Sequence, residues 1–301
     1  MRFLRPMIVA ALIAASTPLP LNAVPVSGQR TYASPQAAAE ALLDAVVSGD
    51  RRELRPLFGI DAPRIAPIPD DATMAAVRDA FVVAWSRGSV VETTSQAGAR
   101  LLLGAGGSPY AVPLAQTADG RWAWDTRAGI SEIETRRLQR NEEAAIRALL
   151  AYVDAQHAYA REDRDGDRVP DYAQRLESRA GRRDGLHWPP VPGEPPPPLG
   201  PAKAAAEEGP SARPYHGYVY RVLTAQGPSA RGGAFDYRVE GRMLRGFGMI
   251  ATPALYGRSG LHTFLINHDG RVFERDLGPH TRTLARRIDR FDPDPAWRLT
   301  H

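Results

Sequence analysis

The run Glu142-Glu143-Ala144-Ala145-Ile146-Arg147-Ala148-Leu149-Leu150-Ala151-Tyr152-Val153-Asp154-Ala155-Gln156-His157-Ala158-Tyr159 decides the fold. With Leu138 upstream, Ala145, Ile146, Leu149, Tyr152, Val153, Gln156 and Tyr159 recur at helical spacing, which puts them on one stripe of a 3.6-residue repeat. Glu134, Arg136, Arg137, Arg140, Glu142, Glu143 and Arg147 take much of the remaining surface. The pattern predicts a long amphipathic helix from about Glu132, half buried and not membrane-spanning. Its apolar stripe, with Tyr152 and Tyr159, reads as core rather than as an interaction face. On this reading the helix is the spine between two different globular units.

Outward from the helix, the chain enters Asp163-Arg164-Asp165-Gly166-Asp167-Arg168-Val169-Pro170-Asp171. Asp163, Asp165, Asp167 and Asp171 stand at positions 1, 3, 5 and 9 of a calcium loop, and the Val169 main-chain oxygen stands at position 7. Alternate carboxylates in such a turn converge on one hard cation. An EF-hand also requires Gly at position 6 and Glu at position 12, where this chain has Arg168 and Gln174. The run is therefore not a full EF-hand loop. It resembles the shorter D-x-D-G-D-x-x-x-D calcium repeats of exported bacterial and extracellular proteins. Arg168 in place of glycine costs roughly 1 kcal/mol if the position is left-handed, and with Arg164 it partly neutralises the site. The expectation is Ca2+ at millimolar affinity. The alternative is a solvated acidic helix end, which opposes the helix dipole in the absence of a cation.

At the other end, Arg2 and Arg5 precede the apolar run Met7 to Ala15, and Leu21-Asn22-Ala23 offers a cleavage point. So short an apolar run cannot cross a bilayer core of about 30 Å, so 1–23 is read as a secretory signal peptide. Its removal takes away both arginines and lowers the formal charge of +4 accordingly, to +2. Lys203 is the sole lysine, and the arginines are interspersed with acids rather than clustered, which excludes a nucleic-acid groove. No other apolar run is long enough to span a membrane. There is no cysteine, hence no disulfide framework in a periplasmic or secreted chain, and stability must come from a hydrophobic core. Its 301 residues are enough to bury one large core or two modest ones.

Residues 31–130 read as an N-terminal α+β unit. Ser34-Pro35 opens a helix carrying Ala38, Ala39, Leu42, Leu43, Val46 and Val47 that stops at Gly49. Leu54, Leu57 and Phe58 follow in a second helical turn. After a Pro-rich break, a third helix holds Met74, Val77, Phe81, Val82 and Trp85 and ends at Gly88. Arg100 to Leu103, Tyr110 to Leu114 and Arg121 to Asp125 read as strands, with an Asp119-Gly120 hairpin. Helices followed by a meander resemble the cone-shaped folds of the nuclear-transport-factor-two-like group. In such a cone Trp85, Tyr110, Trp122 and Trp124 either line a small-molecule pocket or simply form core.

Residues 131–301 read as the long helix, a variable loop with a proline tract at Pro195 to Pro198, and an antiparallel meander. Its strands are Tyr215 to Ala225, Phe235 to Val239, Gly246 to Thr252, Thr263 to Asn267 and Val272 to Arg275, with an Asp269-Gly270 turn. Tyr218-Val219-Tyr220, Gly246-Phe247, Ala251-Thr252-Pro253, Thr263-Phe264 and Asp269-Gly270-Arg271-Val272 resemble the globular part of major pseudopilins and type IV pilin-like proteins. The resemblance implies a helix laid across a meander. It departs where a pilin helix has an apolar membrane segment and this one has Arg136, Arg137 and Arg140. A longer resemblance covers almost the whole mature chain. It is carried by Asp184-Gly185-Leu186, Trp188-Pro189, Pro214-Tyr215-His216-Gly217-Tyr218, Leu223-Thr224-Ala225-Gln226-Gly227, Asp276-Leu277-Gly278 and Phe291-Asp292-Pro293. These residues resemble the exported bacterial proteins grouped as domain of unknown function 2950, which implies export and leaves the chemistry open.

Catalytic patterns are sparse. His187, His216, His262, His268 and His280 form no H-x-x-x-H pair; no G-x-S-x-G elbow, thiol or phosphate loop is present. His216 is the best functional imidazole. The sequence therefore points to a non-enzymatic binding or assembly protein of the envelope, its partner an envelope protein or cell-wall component. Trp188, Tyr215 and Tyr218 are its expected interaction face. The competing readings are an envelope hydrolase using His216 with an acid of the Asp163 to Asp171 loop, and a small-molecule binder using the N-terminal cone.

Overall fold

The computed structural model describes residues 24–163 and 168–300, so the signal-peptide reading of 1–23 lies outside the described residues. The chain divides into two compact units, Met1–Ile133 and Glu134–His301, and belongs to the α+β class.

In the first unit, helix α1 (Pro35–Ser48) starts where the Ser34 hydroxyl accepts the Ala37 N–H, with Pro35 in the first turn, and stops at Gly49 with φ 70°. Two short helices follow, α2 (Leu54–Phe58) and α3 (Ala62–Ile65). The Asp70 carboxylate then caps α4 (Asp71–Ser86) by accepting the Thr73 N–H at 2.7 Å. Strands β1 (Ser89–Ser95), β2 (Gly98–Leu103), β3 (Ser108–Pro109), β4 (Leu114–Gln116) and β5 (Trp122–Trp124) build an antiparallel sheet in the order β1-β2-β4-β5, with β3 also on β2. Leu42, Phe58, Leu101, Leu114 and Trp124 fill its core. The sequence misses β1 because neither of its faces is fully buried: Val90 is 58% exposed, and no period-two alternation results. The strand expected over Tyr110 to Leu114 is observed as β4, which starts only at Leu114 because Pro113 has no N–H to give a ladder.

Helix α5 (Thr126–Tyr159) begins before Glu132, at a point where the Asp125 carboxylate accepts the Ala128 N–H at 3.0 Å. Ile130 and Ile133 of its first turns serve the core of the first unit. From Glu134 onward the helix belongs to the second unit. There it is followed by α6 (Pro201–Ala204), β6 (Tyr218–Leu223) and the short strands β7 (Ala225–Gln226), β8 (Phe235–Asp236), β9 (Arg238–Val239) and β10 (Arg242–Met243). Then come β11 (Gly248–Pro253), β12 (His262–Asn267), β13 (Phe273–Asp276), α7 (Thr281–Ala285) and β14 (Arg298–Leu299). The main sheet is antiparallel, in the order β14-β13-β12-β11-β6. Every residue of β11 is buried. Alternation explains why: Met249, Ala251, Phe264 and Ile266 join Tyr152 of α5 in one core, while Ile250 and Leu265 join Phe291 and Trp297 in another. A strand covered on both faces reads as a continuous apolar run.

The predicted apolar stripe of α5 is core: Ala145, Leu149, Tyr152 and Tyr159 are buried. Gln156 sits in that stripe with no exposed surface. Its amide donates to the Ala173 carbonyl at 2.8 Å and to the Tyr152 hydroxyl at 2.9 Å, and its oxygen accepts the Ala173 N–H at 2.8 Å. The Tyr152 hydroxyl donates in turn to the Gly248 carbonyl at 3.2 Å. Gln156→Leu keeps the volume but leaves both main-chain groups of Ala173 buried without a partner. It should lower stability by about 2–4 kcal/mol in urea denaturation.

A second, partly buried polar tie joins 176–177 to 207, where Glu207 accepts the N–H groups of Leu176 (3.1 Å) and Glu177 (3.3 Å). Burial pushes the Glu207 carboxyl above its usual range against the pull of those donors. A raised folded pKa means that the folded state binds the proton more tightly. This contribution is therefore full below the unfolded pKa and is lost as pH rises through the raised value. Urea midpoints of the native chain should accordingly fall relative to Glu207→Gln on going from about pH 4 to pH 7, since the amide can accept the same bonds without a charge.

Candidate functional site

The candidate site is built where α5 ends. Tyr159, its last residue, is anchored by a hydroxyl bond to the Arg183 carbonyl at 2.8 Å. The chain then turns into the acidic loop, and a cavity of about 720 Å3 opens beside it, with Glu162, Asp163, Asp171 and Asp184 in its lining. Arg168 has φ 66°, the left-handed conformation that glycine adopts without strain, and its N–H donates to the Asp163 carboxylate at 2.8 Å. The bond runs from position 6 of the loop back to position 1. Asp165 and Asp167 lie outside the described residues.

Farther along the loop, a guanidinium stands on two of the expected donors. Arg242 donates to the Val169 carbonyl at 3.1 Å and lies 3.7 Å from the Asp171 carboxylate. Among the described residues no three carboxylate or imidazole side chains are grouped as metal ligands. The described donors are thus hard oxygens of the type calcium takes, with an arginine placed where it competes for two of them. Asp184 is committed elsewhere. Burial works against its charge, but the N–H and guanidinium of Arg179 outweigh it and hold the carboxyl below the usual range.

Two of the three residues expected on an interaction face, Trp188 and Tyr218, are buried. Tyr218 is fully buried and donates its hydroxyl to the His262 carbonyl at 2.9 Å; Trp188 is only 6% exposed, with the Arg183 guanidinium 5.6 Å from its ring centroid. Both are core residues because their aromatic area is covered by the strands and loops around them. Tyr215 alone of the three is half-buried. His216 is exposed at φ 49° and Gly217 follows at φ 77°, between mutual main-chain bonds of Tyr215 and Tyr218. Positive φ at both central residues defines a two-residue hairpin turn, so His216 is read as a turn residue. Among the described residues no carboxylate bonds to its imidazole.

In the first unit, Trp124 is 1% exposed, with Phe58 at 6.1 Å and Tyr110 at 5.6 Å between ring centroids. That part of the expected pocket is filled by its own aromatics.

One acid–imidazole pair escaped the sequence. Glu142, assigned by periodicity to the solvent face, accepts the N–H groups of Leu261 (2.7 Å) and His262 (3.0 Å) through one oxygen, and its other oxygen lies 3.2 Å from His262 Nδ1. Next to it, Asn141 donates to the Ser259 carbonyl at 3.0 Å. These contacts tie α5 to the loop before β12 and to the first residue of that strand, a positioning role. No local signal links residues 120 apart in sequence.

Fold and sequence together define an α+β protein with an acidic segment after its longest helix. Residues 29–300 match the family described as protein of unknown function (DUF2950), and the chain belongs to that family. No curated protein and no solved structure matches it, so the likenesses to pilins and to cone folds remain patterns of sequence.

Because Arg168 is left-handed, Arg168→Gly should raise stability by about 1 kcal/mol in urea denaturation, whereas Arg168→Val should lower it.

Proposed function

We propose that this chain is an exported, non-enzymatic envelope protein with a binding or assembly role, whose acidic loop takes up calcium. The observation that carries the reading is the bond that the N–H of left-handed Arg168 donates to the Asp163 carboxylate, which brings position 6 of the acidic run back to position 1, the first of the ligand positions. Asp163, Asp165, Asp167 and Asp171 with the Val169 oxygen are the proposed ligands. Export is supported by the arginines and apolar run at the N-terminus. It accords with the finding that no helix among the described residues is long and apolar enough to cross a membrane. A non-enzymatic role is supported by His216, the best imidazole in the sequence, standing in a tight turn.

The test is calorimetric melting of the mature chain with millimolar calcium and with chelator. Binding to the folded loop raises the melting temperature by mass action. Arg242→Gln frees the Val169 and Asp171 oxygens from the guanidinium and should enlarge the rise. Identical melting curves for both proteins in calcium and in chelator would remove the metal from the account.

A further inference from the structure

The second unit carries a cleft of about 620 Å3 that shares no residue with the acidic loop. Its floor is the paired edge of β6 and β11, where Val219 stands opposite Thr252 and the chain continues into Ala254. One wall is the segment from Glu208 to Pro214, and the other is α7 and the residue after it.

A single guanidinium holds both walls. Arg221 donates through Nε to Glu208 at 3.0 Å and through Nη2 to the carbonyls of Ala285 (2.8 Å) and Ile288 (2.9 Å). Glu208 and Arg221 are each less than a third exposed, so this frame is fixed before any ligand arrives. The charge of Glu208 is thereby balanced by Arg221. Arg286 reaches Glu208 only at 3.4 Å and leaves most of its side chain in solvent, whereas a strong charge-assisted bond is shorter. Arg282, also exposed, has no ion-pair or hydrogen-bond partner among the described residues. The rim is therefore net positive over an apolar floor.

The floor narrows the class of ligand. None of the lining residues is aromatic, which leaves no platform for a nucleobase or a sugar ring. Valine, alanine and proline surfaces instead suit methyl-sized side chains, and two neighbouring guanidinium groups suit a carboxylate. We propose that this cleft binds the carboxylate end of a peptide chain with small apolar side chains. Arg282 and Arg286 take the carboxylate, and the Val219–Ala254 floor takes the side chains.

The experiment titrates acetyl-trialanine, and separately its C-terminal amide, into the full isotope-labelled chain while amide resonances are followed. Saturable shifts of Thr252, Ala254 and Ala212 are expected with the acid, and affinity should be about tenfold lower for the amide. Arg282→Gln and Arg286→Gln should each weaken the acid about fivefold or more. Arg287→Gln, exposed but not lining the cleft, should leave it unchanged. Arg282 has no side-chain partner to lose among the described residues, so an unchanged melting temperature for Arg282→Gln shows that the fold is intact. Equal binding of acid and amide, an equal loss in the Arg287→Gln control, or no movement of the floor amides at millimolar peptide would overturn the proposal. Calcium has no part in the test, so its outcome stands apart from that of the acidic loop.

Discussion

The second unit depends on one buried amide. Gln156 makes with Ala173 the pair of bonds that a neighbouring strand would make, and through Tyr152 it reaches the Gly248 carbonyl at the start of β11. A polar group in the middle of an apolar stripe is costly unless each of its atoms is satisfied, and here its amide and its oxygen both are. The same bonds fix the rotation and the height of α5 against the sheet, which apolar contact alone leaves free to slide. The chain just beyond Ala173's side of that contact carries Asp171, and the helix itself ends at Tyr159, so both ends of the acidic loop are set by this contact.

The sheet beneath is specified differently. β11 and β12 are buried on both faces, one by α5 and one by the C-terminal segment with Phe291 and Trp297. Where the apolar cover ends, arginine takes over. Arg221, on β6, donates to Glu208, to the Ala285 carbonyl at the end of α7 and to the Ile288 carbonyl beyond it, and Arg242 donates to Val169. In a chain with no cysteine and a single lysine, planar guanidinium groups serve as the cross-links between loops.

Much of this was legible. The Ser34-Pro35 start of α1, the stripe of α5 and the places of the main strands in the second half followed from capping chemistry and period, but the pairing of β6 directly with β11, with 235–239 outside that sheet, did not. The left-handed position at Arg168 followed from loop spacing, although the arginine there argued against it. What escaped has a common cause: it was decided by partners distant in sequence. Glu142 looked like a solvent-face acid until the loop at 261–262 was placed beside it. Trp188 and Tyr218 looked like an exposed recognition face because nothing local announces burial of an aromatic. His216 drew attention as an imidazole, when the informative feature was the following glycine, which marks a turn with two positive φ angles.

Helix α5 is thus locked to residue 173 by side-chain bonds and does not merely rest on the sheet. Native-state hydrogen exchange at the Ala173 amide tests this directly. The expected result is that this proton exchanges only with global unfolding, alongside the amides that pair β11 with β12. Exchange of Ala173 through a local opening, orders of magnitude faster than those strand amides, would contradict it.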